Sequence, residues 1–182
     1  MVTILGKTNS GKDSILNKLV NEYGYIKATT FTTRPMREGE IQDITYHFIT
    51  DEEFDKKVNE GFFAEYKTYN TAFGVWKYGS SKESYKNSDN KTIIILTPDG
   101  YRDIIKTLDE KPTAIYIYAN NQTIKERLKK RGDNKEEAER RLLHDNEDFK
   151  GVENIVGKIV YNNKSNNIDD VVNTIVKYLE GR

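Results

Sequence analysis

Seven residues near the start of the chain carry its clearest chemistry. Gly6-Lys7-Thr8-Asn9-Ser10-Gly11-Lys12 fits G-x-x-x-x-G-K. It stands directly after the apolar run Val2–Leu5 and before a segment with helical spacing, which is the context the motif requires. Gly6 and Gly11 let the backbone turn tightly and approach phosphate oxygens, so that the N–H groups from Thr8 through Lys12 can point at them. The positive dipole end of the following helix adds to that field, and Lys12 supplies a point charge for β- and γ-phosphate oxygens. The hydroxyl residue that usually follows the lysine and touches Mg²⁺ is replaced by Asp13, with Ser14 next. An aspartate can hold Mg²⁺ directly or through water, and it repels phosphate when the metal is away. Ser14 is in reach of an α-phosphate.

A second constellation follows. Thr30-Phe31-Thr32-Thr33-Arg34-Pro35-Met36-Arg37-Glu38-Gly39-Glu40 precedes Thr45-Tyr46-His47-Phe48-Ile49, then Glu65, then Tyr78-Gly79-Ser80. Arg34 and Arg37 each offer a planar fork that binds a phosphate in bidentate fashion, and Tyr46 can donate its hydroxyl to the same group. Two arginines and a tyrosine bracket a dianion such as the phosphate of a nucleoside monophosphate. Taken singly, each of these charges would be an ordinary solvated side chain; their joint order and spacing carries the reading.

That order closely resembles guanylate kinases, with their T-T-R-x-x-R-x-G-E, Y-H-F, a Glu after a G-x-F strand, and Y-G-[ST]. The resemblance runs from Gly6 to about Asn162. It implies that Glu65, in Gly61-Phe62-Phe63-Ala64-Glu65, reads guanine. A carboxylate accepts from both N1–H and the 2-amino group, whereas adenine would set a lone pair against it. Thr30, Tyr78 and Ser80 fall on the acceptor nucleotide's other positions. Thr97 stands where the family usually has a second base-supporting aspartate, and Asp99 is close by in what reads as a turn. Adenylate kinases are similar in lacking a hydroxyl at the position of Asp13, and some phage deoxynucleotide kinases are similar in carrying Gly-Lys-Asp there.

The resemblance extends to a lid. Lys125-Glu126-Arg127-Leu128-Lys129-Lys130-Arg131-Gly132 and Arg140-Arg141-Leu142 are similar to the family's R-L-x-x-R-G and R-L elements, with one residue fewer between them. This implies that Arg131 and Arg141, with Arg140 adjacent, close on the transferring phosphoryl group, where guanidinium groups stabilise the charge on its equatorial oxygens. Asn162, in Val160-Tyr161-Asn162-Asn163, matches an asparagine beside the adenine of ATP. His47 and His144 have no partner pattern for metal or triad chemistry and read as structural.

The elements that must position these residues alternate. Strands are expected at Val2–Leu5, 92–96, Thr113–Tyr118 and 159–161. Helices are expected after the glycine loop, at 101–108 following a Pro98-Asp99-Gly100 turn, at 122–130 and at 168–179. This implies a parallel sheet with right-handed crossovers. Two stretches break the rhythm. Residues 29–85 hold β-rich runs at 44–49, 62–69 and 75–78 around one helix, Asp51–Asn59, and residues 125–148 are helical and densely charged. The expected organisation is an α/β P-loop core (1–28, 86–124, 149–182) carrying a β-rich nucleoside monophosphate lobe (29–85) and a helical lid (125–148).

Bulk properties narrow the function classes. Lys+Arg and Asp+Glu are matched at 29 each among 182 residues, so the chain carries no net charge with which to coat nucleic acid or an anionic membrane. Without cysteine it has neither disulfides nor a thiolate metal site. Apolar residues begin at Met1 and the glycine loop follows at Gly6, leaving no room for a signal peptide, and a cytoplasmic protein is expected. The reading that follows is a kinase moving the γ-phosphate of ATP, with Mg²⁺, onto GMP or dGMP, with Lys12, Arg131 and Arg141 catalytic. Asp13 and Thr97 suggest a broader deoxynucleoside monophosphate kinase as the rival. A protein-docking module that has lost catalysis would typically lack Lys12 and the lid arginines, and this chain keeps them.

Overall fold

The computed structural model describes residues 1–71, 73–132 and 135–181, with the side chains of Arg131, Lys135, Glu137 and Ala138 outside the described set. At its centre is a parallel sheet of five strands: β1 (Val2–Leu5), β2 (Ile26–Lys27), β7 (Thr92–Ile95), β8 (Thr113–Tyr118) and β9 (Lys158–Tyr161), in the spatial order β2-β7-β1-β8-β9. Every residue of β1 is buried, as expected for a central strand covered on both faces.

Alternation along β1 decides which helices cover which face. Val2 and Ile4 pack with α1 (Lys12–Tyr23) and α7 (Ile168–Glu180) through Ile15, Leu19, Val172 and Ile175. Leu5 turns to the other face and joins Ile94, Leu96, Tyr101, Ile104 and Tyr116 beneath α4 (Pro98–Thr107). In α7 the residues Val171, Val172, Ile175 and Val176 are buried on one stripe, each contributing roughly 1.5–3 kcal/mol of apolar burial. A charge at Val172 would break that contact.

Helix α4 begins three residues earlier than its apolar spacing suggests. Thr97 is the N-cap, its Oγ1 accepting from Gly100 N–H at 3.2 Å, and Pro98 takes the first helical position, where no N–H is needed. The expected Pro98-Asp99-Gly100 turn is therefore the helix's first turn.

The second sheet contains β4 (His47–Phe48), β3 (Phe31–Thr32), β6 (Gly74–Ser81) and β5 (Phe63–Thr71), in that order, with α2 (Asp51–Asn59) and α3 (Lys82–Lys86) beside it. Helix α2 starts on a capping box between Thr50 and Glu53. The expected strand over 44–49 shortens to His47–Phe48. Residues 41–45 turn instead, with Asp43 at φ 65° and the carbonyls of Ile44 and Thr45 taken by Lys27 Nζ. The β5–β6 ladder pairs Glu65 with Ser80, Lys67 with Tyr78 and Tyr69 with Trp76. Helices α5 (Asn121–Arg131) and α6 (Lys135–Asp148) follow β8, with Leu142 of α6 packed on Ala119, Ile124 and Leu128.

Candidate active site

The phosphate loop leaves the carboxyl end of the central strand, the usual place for a ligand crevice in an open parallel sheet. Gly11 caps α1 at φ 90° and Asn9 stands at φ 54°, so the loop winds through the left-handed region twice. A Cβ on Gly6 would lie 2.5 Å from Ser10 Oγ, and one on Gly11 would collide with Asn162 Nδ2. These two positions have room only for glycine.

The loop's outer side is braced. Arg127 of α5 donates from Nη1 to the carbonyls of Asn9 (3.2 Å) and Ser10 (3.0 Å) and from Nη2 to that of Asn162 (3.0 Å). The buried Asn162 amide donates to Ser10 O at 2.8 Å. A trans peptide sets its N–H opposite its C=O, so a brace that pulls the Ser10 carbonyl outward turns the Gly11 N–H into the loop. On the other side Thr8 N–H donates to Asp145 Oδ2 at 2.6 Å, and Lys7 Nζ to Asn146 Oδ1 at 2.6 Å, so α6 touches the loop directly. Burial raises the Asp145 pKa, while the Thr8 N–H and Lys12 oppose that shift. Lys12 Nζ lies 3.9 Å from Asp13 Oδ2, with Lys12 largely covered and Asp13 exposed. Ser14 is also exposed.

The acceptor arginines sit in unlike settings. Arg34 is 4% exposed and forms an end-on fork with Glu40, Nη1 to Oε2 at 2.9 Å and Nη2 to Oε1 at 2.7 Å. Nη1 also donates to Pro35 O at 2.6 Å, and the guanidinium stacks near Tyr46 (5.5 Å) and Phe48 (5.6 Å). Those contacts leave Nε–H and one Nη2–H, the side-on fork, for a phosphate. Burial lowers the Arg34 pKa, but Glu40, with Tyr78 and Tyr46, outweighs it and the net shift is upward. Glu40 also accepts Arg37 N–H at 2.7 Å, and its pKa ends lowered because these partners outweigh its burial. Arg37 is lowered by burial and then by the like charges of Arg34 and Arg141. Arg34 and Arg141, from two separate segments, thus both act electrostatically on Arg37, a field that favours an anion. Asp13 at the loop's end acts electrostatically on Tyr46 and Lys27, so the P-loop and the acceptor set adjoin. Burial pushes the Tyr46 hydroxyl up to about 12, keeping it a donor.

Several of the residues expected at the base converge on Glu65. Ser80, opposite it in the ladder, donates from Oγ to Glu65 Oε1 at 2.7 Å, and Tyr85 OH lies 2.8 Å from the same Oγ. The Ser80 proton is committed to Glu65, so Tyr85 is the donor in the second bond. Burial raises the Glu65 pKa, and Ser80 and Lys67 partly oppose it. A Cβ on Gly100 would lie 2.9 Å from Glu65 Oε2, which places the carboxylate against the first turn of α4. Tyr69 hydrogen-bonds Thr97, and the Tyr78 ring lies 5.8 Å from Tyr69 and 6.1 Å from Tyr46. Thr30 precedes β3 and is half-buried, its carbonyl accepting from His47 N–H at 2.9 Å.

The guanylate kinase family profile matches residues 1–181. This chain belongs to the guanylate kinase family. It is similar to the guanylate kinase of Sulfurimonas denitrificans, with 31% identity over 149 residues, 78% of this chain and 70% of that protein. It is similar also to the guanylate kinase of Wolinella succinogenes, with 33% identity over 151 residues, 79% of this chain and 68% of the relative. Among solved structures, guanylate kinase from Anaplasma phagocytophilum superposes with a TM-score of 0.73 at 22% identity, covering all of this chain and 85% of the other, a likeness of fold.

Within this family member the lid residues divide. Arg141 lies near Arg37, as its effect there shows; Arg140 is exposed; the side chain of Arg131 lies outside the described residues. His47 Nδ1 is 2.7 Å from Asp43 and His144 Nδ1 is 2.9 Å from Asp148. The His144 ring also meets Tyr69 at 6.3 Å, touching the second sheet from α6.

Sequence reasoning missed four contributors. Glu40 was visible only as the end of a motif, Tyr85 of α3 reaches Ser80, Gly100 of α4 abuts Glu65, and Asp145 meets the loop from a helix 137 residues away in sequence. No local spacing signals such partners. Arg127 was visible as part of the lid's charge, but its grip on the loop was not.

Proposed function

We infer that this chain transfers the γ-phosphoryl group of ATP to GMP, giving ADP and GDP. The observation that carries the reading is Glu65 held by Ser80 in the same lobe as Arg34, which Glu40 fixes through an end-on fork, with Arg37 in electrostatic reach of both Arg34 and Arg141. On this reading residues 29–85 form the acceptor lobe, 125–148 the lid and the remainder the core. The P-loop amides and Lys12 hold the donor phosphates. Arg34 through its open fork, Arg37 and Tyr46 hold the acceptor phosphate, and Glu65, with Thr30, Tyr78, Ser80 and Thr97 around it, receives the base.

Phosphoryl transfer between such groups asks little covalent work of the protein. Positioning, charge neutralisation by Lys12, Arg131 and Arg141, and exclusion of water by the lid supply it. Arg127 and Asn162 act one step back by fixing the loop, and Asn162 keeps a place near the adenine. Asp13, an exposed hard-oxygen ligand 3.9 Å from Lys12, fits the requirement for one carboxylate that holds Mg²⁺ alongside phosphates, directly or through water. Bound there, Mg²⁺ would neutralise charge on the transferring group. No helix among the described residues is long and apolar enough to cross a membrane, which accords with small-molecule substrates and a cytoplasmic setting.

A coupled assay of ADP formation across all nucleoside and deoxynucleoside monophosphates tests the reading. GMP and dGMP should lie within about tenfold of each other, since no residue is identified that reads the 2′-hydroxyl, and AMP at least about two decades lower. Comparable rates for AMP, dTMP and GMP would overturn the guanine assignment.

A further inference from the structure

The groups around Glu65 determine what the base site can tell apart. Two other carboxylates stand on α4, and both are engaged. Asp99 Oδ1 is 2.7 Å from Arg102 Nη1, and Asp103 Oδ2 is 2.7 Å from Lys67 Nζ. Thr97 spends its hydroxyl on the Gly100 N–H at 3.2 Å and on Tyr69. Glu65 Oε1 already accepts from Ser80, which is in turn held by Tyr85. Among the described residues Glu65 forms no ion pair, and its Oε2 is the acceptor edge left for a base.

A purine with a 6-oxo group presents N1–H to that edge whether or not it carries a 2-amino group. In a guanine complex the amino group must share a carboxylate that Ser80 already occupies. In a hypoxanthine complex a C–H takes its place, and Glu65 keeps both Ser80 and N1–H. The substitution leaves no buried protein group unpaired. Large discrimination against a missing substrate group arises when the protein's own partner is orphaned; without that, the loss is one net hydrogen bond. Xanthine sets a second carbonyl oxygen, and adenine an N1 lone pair, against the carboxylate, and both are repelled.

We propose that hypoxanthine nucleotides, IMP and dIMP, are acceptor substrates of this site, because one carboxylate reads the base and loses no partner when the 2-amino group is absent. The proposal rests on the acceptor reading above and extends it, from guanine to 6-oxopurines that bear N1–H and no 2-oxo group.

The test is kcat/KM with ATP for GMP, IMP, XMP and AMP, on the whole chain and on Thr97→Asp. Aspartate is as good an N-cap as threonine, so the variant should fold, as its Tm will show, while adding a second carboxylate for an amino group. The wild type should use IMP no more than about thirtyfold less well than GMP, and at least about tenfold better than XMP or AMP. Thr97→Asp should widen the GMP-to-IMP ratio by about tenfold or more. GMP turnover with IMP down at the level of AMP overturns this proposal and leaves the kinase reading standing, whereas no turnover of GMP overturns both. A folded, active Thr97→Asp with an unchanged ratio removes Thr97 as the cause.

Discussion

Thr8 of the phosphate loop donates its backbone N–H to the Asp145 carboxylate of α6 at 2.6 Å. One of the loop's anion-facing amides is therefore capped by an acid from the segment assigned to the lid. An incoming triphosphate meets that negative charge. Asparagine at 145 keeps an oxygen for Thr8 and removes the charge, so Asp145→Asn should lower the KM for ATP by about three- to tenfold at neutral pH. The sign with pH follows from burial. The Asp145 pKa is raised, so its protonation sets in at higher pH than for a free aspartate and removes the repulsion as pH falls. The wild-type KM for ATP should approach the variant's on the acid side and separate from it on the alkaline side. Equal KM values at pH 8 would show the contact to be inert.

Among the described residues Lys12 forms one ion pair, with the exposed Asp13 at 3.9 Å, a distance at which such pairs contribute almost nothing to stability, and it acts on Asp145 only electrostatically. Lys12→Ala should therefore keep its Tm within a degree or two while kcat drops by roughly two to four decades. Circular dichroism with a turnover assay checks both halves, and a folded mutant of near-normal turnover would remove the kinase assignment.

Arg34 and Arg37 should separate in stability though not in substrate effect. Either Ala replacement should raise the KM for GMP about ten- to a hundredfold with little change for ATP. Only Arg34→Ala also strips Glu40 of its paired fork, which should cost on the order of 2 kcal/mol and a visible drop in Tm. Glu40's lowered pKa makes that stability present above the ordinary carboxylate pKa and lost as pH falls through the depressed value. The Tm gap between the wild type and Arg34→Ala should therefore narrow as pH falls through the depressed Glu40 value. Matching Tm values for the two variants would refute the structural half.

Arg141 influences Arg37, and the His144 ring meets Tyr69, so the segment assigned to the lid adjoins the lobe assigned to the acceptor along one side. Closure should tighten what is still loose. GMP and ATP together should protect amides across residues 125–148 from hydrogen exchange more than either alone. Exchange unchanged with both ligands bound would mean that no lid closes there.

What could be read from the sequence is what depends on local order. The P-loop needs its glycines at Gly6 and Gly11, and the buried strands read as apolar runs, so β1 and β8 were placed correctly from periodicity alone. Boundaries failed where a cap or a turn overrode the pattern: Thr97 and Pro98 start α4 early, and Asp43 at φ 65° interrupts the run before His47. The site's supports were illegible for a different reason. Tyr85 supports Ser80 from α3 through the turn that follows β6, and Arg127 holds loop carbonyls that have no side-chain identity at all.

Glu65 makes the last and most exposed prediction. Its carboxylate must be ionised to accept from N1–H, and burial raises its pKa, with Ser80 and Lys67 only partly opposing the shift. A raised carboxylate pKa means that protonation starts at higher pH than for a free glutamate, so kcat/KM for GMP should fall on the acid side beyond what protonation of the substrate phosphate, with its second pKa of about 6, brings. Glu65→Gln has no carboxylate to protonate and should lose that part of the acid limb. It should also erode the choice between bases, because the amide can turn its NH₂ toward the adenine lone pair while its oxygen accepts one bond. Sites of this kind discriminate by about four to five decades when every buried group is paired. With Thr97 offering no second carboxylate, the wild-type ratio of GMP to AMP should still reach at least roughly two decades, and the variant's should collapse toward about tenfold or less. A Glu65→Gln enzyme that kept both the full acid limb and its preference for GMP would show that some other residue reads the base.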